Sequence, residues 1–231
     1  MDDTTDALLR RLREQDWIDD PFLGPVLPAD CAASPVWPGN SRWARIRTIR
    51  TIAGSSDAPR TVTELSFGPA DEGVPAVPVG VVWDETGGQR RARVYCNKAH
   101  LGSDQVRGPV IPPDPDLVLH PTMASYLTAL RAADEQGLLA VLEPGLRVFS
   151  PFGEIKAPDV RAEFAKRMAG AGGVPLVYVT ATDDGTRAAL EFISWRIRPH
   201  AGLGVYERAP SGRIAVFRAY EGPVPRPLPA G

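Results

Sequence analysis

Hydrophobic and polar positions along the chain change period several times, and each change marks an element. Between residues 3 and 20, Leu8, Leu9, Leu12 and Ile18 recur at near-helical spacing behind Asp and Thr residues that suit a helix start, which predicts an amphipathic helix. From Pro21 to Asn40 prolines and small residues dominate, and a segment so poor in backbone donors predicts a wrapping stretch. Two-residue alternation then takes over. "SRWARIRTIRTIAGSSDAPRTVTELSFGP" alternates across a Gly-Ser-Ser-Asp turn and "VPVGVVWDETGGQRRARVYCNKAHL" across Glu-Thr-Gly-Gly, so residues 41–107 predict four strands in two hairpins.

A second proline-rich run, "GPVIPPDPD", marks a linker at 108–117, after which the pattern reads helix, helix, strand, helix, strands. In "YLTALRAADEQGLLAVLEPGLRVFSPFG" two short helices lead into a strand stopped by Ser-Pro-Phe-Gly. In "PDVRAEFAKRMAGAGG" Val160, Phe164 and Met168 share one helical face, with Asp159 near the start and glycines at the end. Alternation returns in "VPLVYVTATDDGTRAALEFISWRIRP" and "AGLGVYERAPSGRIAVFRAYEGPVP", which turn at Asp-Asp-Gly and Ala-Pro-Ser-Gly. The two β regions match in strand length, order and turn position, with Gly88 falling on Gly212. This predicts a tandem repeat whose first copy is abbreviated, because it lacks the helical hairpin. The expected units are a helix and wrapping segment at 1–40, a first sheet unit at 41–107, the linker, and a complete unit at 118–231. An apolar sheet face left bare invites aggregation, so the first sheet is expected to lie under residues 3–40 or against the second unit.

Charge narrows the partners. The formal charge is −2, with 26 basic and 28 acidic residues interspersed, and no basic stripe exists for nucleic acid or an anionic membrane. The acidic start is unlike a signal peptide and no apolar run approaches the roughly 18 residues of a membrane span, so a cytoplasmic protein is expected. Cys31 and Cys96 form no disulfide framework or zinc set, and His100, His120 and His200 stand singly, so neither a metal nor a cofactor is expected. "MAGAGGVP" follows a helix and reads as a stop signal, with no helix-start amides for a phosphate.

The helix, helix, strand, helix, sheet order of residues 118–225 resembles the nuclear transport factor 2-like superfamily, which includes ketosteroid isomerases and SnoaL-like polyketide cyclases. The carriers are "YLTALRAADEQGLLAVLEPGLRVFSPFG", "VRAEFAKRM" and the closing "GVYERAPSGRIAVFRAY". The resemblance implies an α+β fold in which helices cover a cone-shaped, curved antiparallel sheet around an apolar pocket for a hydrophobic small molecule. It also implies a sheet that packs on another, as a homodimer or as an intrachain pseudo-dimer of the two sheet units. The family's first-helix tyrosine falls on Tyr126. The isomerase base, which precedes Pro-x-Gly, falls on Ser150, and the second acid on about Gly204. A serine hydroxyl takes no proton near neutral pH without another base beside it, so the standard isomerase mechanism is not carried over; Ser150 is expected to end its strand by local hydrogen bonding.

Glu191 interrupts the apolar run "RAALEFISW". Pointing inward it is a buried carboxylate and candidate acid or base; pointing outward it is a sheet-surface charge facing Arg187 or Arg218. Tyr126 and Glu191 are the candidate catalytic pair. Phe149, Ser150, Phe164, Met168, Phe192, Trp195, Tyr206 and Tyr220 are the candidate pocket residues. Three readings stay open: an enzyme on a hydrophobic small molecule, a non-catalytic binder, and a structural or assembly protein of the same fold.

Overall fold

The computed structural model describes residues 45–53, 60–68, 77–86, 89–96, 111–150, 153–170, 172–195 and 199–220. The helix expected at 3–20, the wrapping segment to Asn40, Cys31, His100 and the Gly-Ser-Ser-Asp turn lie outside these residues.

Two sheets and three helices form the described chain. Strands β1 (Arg45–Ala53), β2 (Arg60–Gly68), β3 (Val77–Thr86) and β4 (Gln89–Cys96) make an antiparallel meander in the order β1-β2-β3-β4. The chain then forms helices α1 (Pro121–Ala132) and α2 (Glu135–Val141) and strands β5 (Leu142–Ser150) and β6 (Gly153–Glu154). Helix α3 (Val160–Gly170) and strands β7 (Leu176–Asp183), β8 (Arg187–Ser194), β9 (His200–Arg208) and β10 (Ile214–Tyr220) follow. The second sheet runs β6-β5-β10-β9-β8-β7. It is mixed, which corrects the expectation of an antiparallel sheet. β7 to β10 form a meander like β1 to β4, but β5 lies parallel to β10. That pairing needs a long crossover, here α3 and the four strands β6 to β9, which hairpin spacing does not reveal.

Local chemistry sets the helix ends. Pro121 opens α1, where its missing N–H costs nothing, and His120 Nδ1 accepts from the Thr122 amide at 3.3 Å. Asp134 caps α2 by accepting from the Gly137 amide at 2.9 Å, and Asp159 accepts from the Ala162 amide at 2.9 Å at the start of α3. After α3, Gly173 has φ of +80°, and a Cβ there would fall 2.6 Å from the Arg131 carbonyl oxygen. Only glycine lets the chain pass this close beneath the end of α1 before entering β7.

Each face of the six-stranded sheet is buried against something different. On one face Leu190, Tyr178, Tyr206, Val148 and Ile214 pack with Met123, Leu127 and Leu130 of α1, Leu138 of α2 and Phe164 of α3. On the other, Ala189, Ala201, Leu203, Val205 and Tyr220 pack with Val62, Val82 and Tyr95 of the four-stranded sheet. Among the described residues the first sheet therefore packs against the six-stranded sheet, one of the two covers expected for it; the other, residues 3–40, lies outside them. Among the described residues no helix is long and apolar enough to cross a membrane.

Candidate functional site

Alternation along β8 decides where the candidate residues go. Leu190 belongs to the helix-covered core and Ala189 to the core between the sheets, so Glu191 shares a face with Ala189 and points away from the helices. Its carboxylate accepts from Arg93 Nε at 2.6 Å and Nη2 at 2.7 Å, from Tyr95 Oη at 2.6 Å and from Thr180 Oγ1 at 2.6 Å. Burial by itself would raise the Glu191 pKa, but the Arg93 guanidinium and the two hydroxyls outweigh it and hold the group below the usual glutamate value. The expected catalytic pair is thereby split: Tyr126 lies on the helix side of the sheet and Glu191 on the opposite side. The two outward partners anticipated for Glu191, Arg187 and Arg218, are also replaced, because the face is covered by β4 and its Arg93.

Glu64 on β2 has a matching environment. It is fully buried, accepts from Arg218 Nε at 2.6 Å and Nη2 at 3.3 Å, and accepts a short hydrogen bond from the Tyr220 hydroxyl. Arg218 also donates to Glu207 at 2.6 Å. Tyr220, expected in the pocket, therefore lies between the sheets. Sequence reasoning passed over Glu64, Arg93, Tyr95 and Thr180. A signal existed, since the aligned β regions carry Glu64 opposite Glu191 and Arg93-x-Tyr95 opposite Arg218-x-Tyr220.

The helix-covered face gathers three tyrosines. Tyr178 and Tyr206 bring their hydroxyls to 3.3 Å, and Tyr126 meets the Tyr206 ring edge-on at a centroid distance of 5.5 Å. Tyr206 also stacks on Phe217 at 4.9 Å, and Phe217 tilts against Phe164 at 5.7 Å. All three phenols are pushed above the ordinary tyrosine value, first by burial; Tyr206 adds to the effect on Tyr126, Tyr178 on Tyr206, and Tyr126 on Tyr178. They are neutral hydroxyls, each able to donate one hydrogen bond and accept others. Tyr178 was not a sequence candidate; only its pairing with Phe192 on β8, which aims both at the helices, brings it in.

The remaining candidates divide. Phe164 is buried in this core, with Met168 and Phe192 packed at its edge. Ser150 donates to the Gly153 carbonyl at 3.0 Å across the β5–β6 turn, the local bond expected of it. Phe149 pairs with Arg218 on the face away from the helices and lies 4.9 Å from the Arg147 guanidinium carbon. Trp195 is 43% exposed just beyond β8. Phe149 and Trp195 thus leave the set of helix-side residues, Phe149 because strand alternation turns it outward and Trp195 because its strand has ended. The buried carboxylates among the described residues, Glu64 and Glu191, both lie between the sheets. Among the same residues no group of three or more His, Cys, Asp or Glu side chains could hold a metal.

Solved structures are similar to part of this chain. A protein with a cystatin-like fold from Silicibacter pomeroyi is 22% identical with a TM-score of 0.40, covering 46% of this chain and 76% of that one. An NTF2-like protein from Cytophaga hutchinsonii is 15% identical with a TM-score of 0.39, covering 48% and 95%. An LEH-like epoxide hydrolase from M. tuberculosis is 20% identical with a TM-score of 0.37, covering 44% and 80%. Proteins described as cystatin-like, NTF2-like, SnoaL-like and LEH-like are thus among the solved structures similar to part of this chain. No family model and no curated protein matches the sequence.

Proposed function

We propose that the chain is a tandem of two related sheet units and that the complete second unit is a non-catalytic binder of a neutral, hydrophobic small molecule. Two features support the tandem reading: both meanders have the same strand order, and both carry a register shift at the same place, between Thr48 and Arg50 on β1 and between Tyr178 and Thr180 on β7. The binding reading is carried by one observation, the convergence of Tyr126, Tyr178 and Tyr206 beneath the helices while both buried carboxylates face the other way. A curved sheet with phenols at its centre offers hydrogen-bond donors to a ligand carbonyl inside an apolar wall. Among the described residues it presents no buried carboxylate to take a proton from carbon.

The test is thermal unfolding with a neutral steroid ketone and with a planar aromatic polyketide, together with turnover of a β,γ-enone. Saturating ligand at about 100 Kd adds roughly 2.7 kcal/mol of stability, Tyr206→Phe weakens that gain, and the enone is not isomerised. Turnover of the enone by the natural protein would refute the non-catalytic reading, and Glu191→Gln would then tell whether that carboxylate is the base. A second reading, an assembly module, is favoured by the near-complete burial of the three phenols, at 2 to 4% exposure. Absence of any ligand shift would favour that alternative.

A further inference from the structure

The two sheets meet through equivalent rows. Glu64, Gly80 and Tyr95 are cross-strand partners in the first sheet, and Glu191, Leu203 and Tyr220 are cross-strand partners in the second. The clamps are reciprocal, each row's glutamate accepting from the other sheet's Arg-x-Tyr. An interface of this kind has the self-complementarity of a two-fold dimer, in which residue i meets residue j and j meets i. A second copy of the chain, presenting its own six-stranded sheet, would bring the same glutamate, arginine and tyrosine to the same places. Charge and hydrogen bonding therefore do not distinguish the first sheet from a second copy.

Shape does distinguish them. At the middle of the row the first sheet has Gly80 where the second has Leu203. A Cβ on Gly80 would fall 2.5 Å from Leu203 Cδ2 and 3.3 Å from the Tyr220 ring, and Leu203 is fully buried. Leu203 thus fills the room that the absent side chain leaves, and a second copy would set leucine against leucine there. We infer that the outer face of the six-stranded sheet is a self-complementary docking surface whose occupant is this chain's own first sheet, selected over a second copy by the Gly80–Leu203 contact. Steric misfit on one side is a general way to reject a partner that attractive contacts would accept. The inference rests on the equivalence of the two units proposed above, and does not depend on the ligand reading.

The experiment is a steric swap in the full chain, read by thermal midpoint and by light-scattering mass over a concentration series. Leu203→Gly leaves a cavity and lowers the midpoint by roughly 5 to 20 °C. Gly80→Leu lowers the midpoint as well and, by making the cis contact as crowded as the trans one, introduces concentration-dependent dimers. The double variant Gly80→Leu/Leu203→Gly moves the leucine to the other sheet, recovers most of both losses and returns the mass to that of the natural chain. A double variant as unstable as the two single losses combined, or Gly80→Leu with the natural midpoint and mass, would overturn the inference. If Gly80→Leu gives no soluble protein, Leu203→Gly and the double variant decide: leucine at 80 must raise the midpoint on that background, and a fall overturns the proposal. Unlike losses in Glu64→Gln and Glu191→Gln would instead overturn the equivalence of the units, leaving any swap rescue as packing alone.

Discussion

Arg93 and Glu191 show what a buried ion pair does at the scale of a residue. The pair is nearly dry, with side-chain exposures of 11% and 2%, so each charge depends on the other. Replacing Arg93 by Met leaves the carboxylate uncompensated and is expected to cost about 3–5 kcal/mol in urea unfolding. Replacing both partners by apolar residues of similar volume should cost much less than Arg93→Met alone, because no orphaned charge remains. Acid carries the same information. The folded pKa of Glu191 lies below its unfolded value, near 4.3, so its contribution is complete above that pH. As pH falls toward the folded pKa, the unfolded chain takes up a proton that the folded chain refuses, and stability is lost. Glu191→Gln should therefore flatten the acid limb of the stability profile relative to the natural chain. The tyrosines give the opposite limb. With the phenols of Tyr126, Tyr178 and Tyr206 raised by burial, stability is full below the unfolded value of about 10 and declines as pH rises above it. Tyrosinate absorbance from these residues should appear together with loss of far-ultraviolet structure; its appearance in the folded protein near pH 10 would contradict their burial.

At the scale of elements, β8 is the strand on which the two cores depend. Its alternate residues serve both faces, Leu190 toward the helices and Ala189 toward the first sheet. Leu190→Ala is expected to cost about 2–5 kcal/mol, since its contacts come from a sheet and helices that cannot all collapse into the gap. Trp195→Ala, one residue past the strand at 43% exposure, should stay within roughly 0.5 kcal/mol. Denaturant midpoints for the two variants check the contrast. It discriminates sharply because the substitutions lie only five positions apart in sequence. In the neighbouring connection, Gly173 is required both by its positive φ and by its close approach to the Arg131 carbonyl; the glycine itself was legible from composition as a helix stop, and the long-range approach was not.

For the whole molecule, periodicity and turn residues determined which elements form and roughly where they end. The helices near Tyr126 and Phe164, the eight strands of the two meanders, and the stop at Ser150 follow from local preferences: apolar spacing, caps, and glycine or proline at turns. These properties are carried by neighbours in sequence, so the sequence suffices for them. The same alternation left Glu191 undecided, since a strand with apolar residues on both sides has two possible inner faces. Only the packing of the four-stranded sheet onto Ala189, Leu203 and Tyr220, supplying Arg93 and Tyr95 from almost 100 residues away in the chain, settled which face a carboxylate can occupy. Tyr178 and the parallel β5–β10 pairing were decided in the same way, by partners that come together only when the chain closes on itself. Burial of a charge and convergence of hydroxyls are properties of pairs distant in sequence, and their free energies exist only once tertiary contact has removed water from between them.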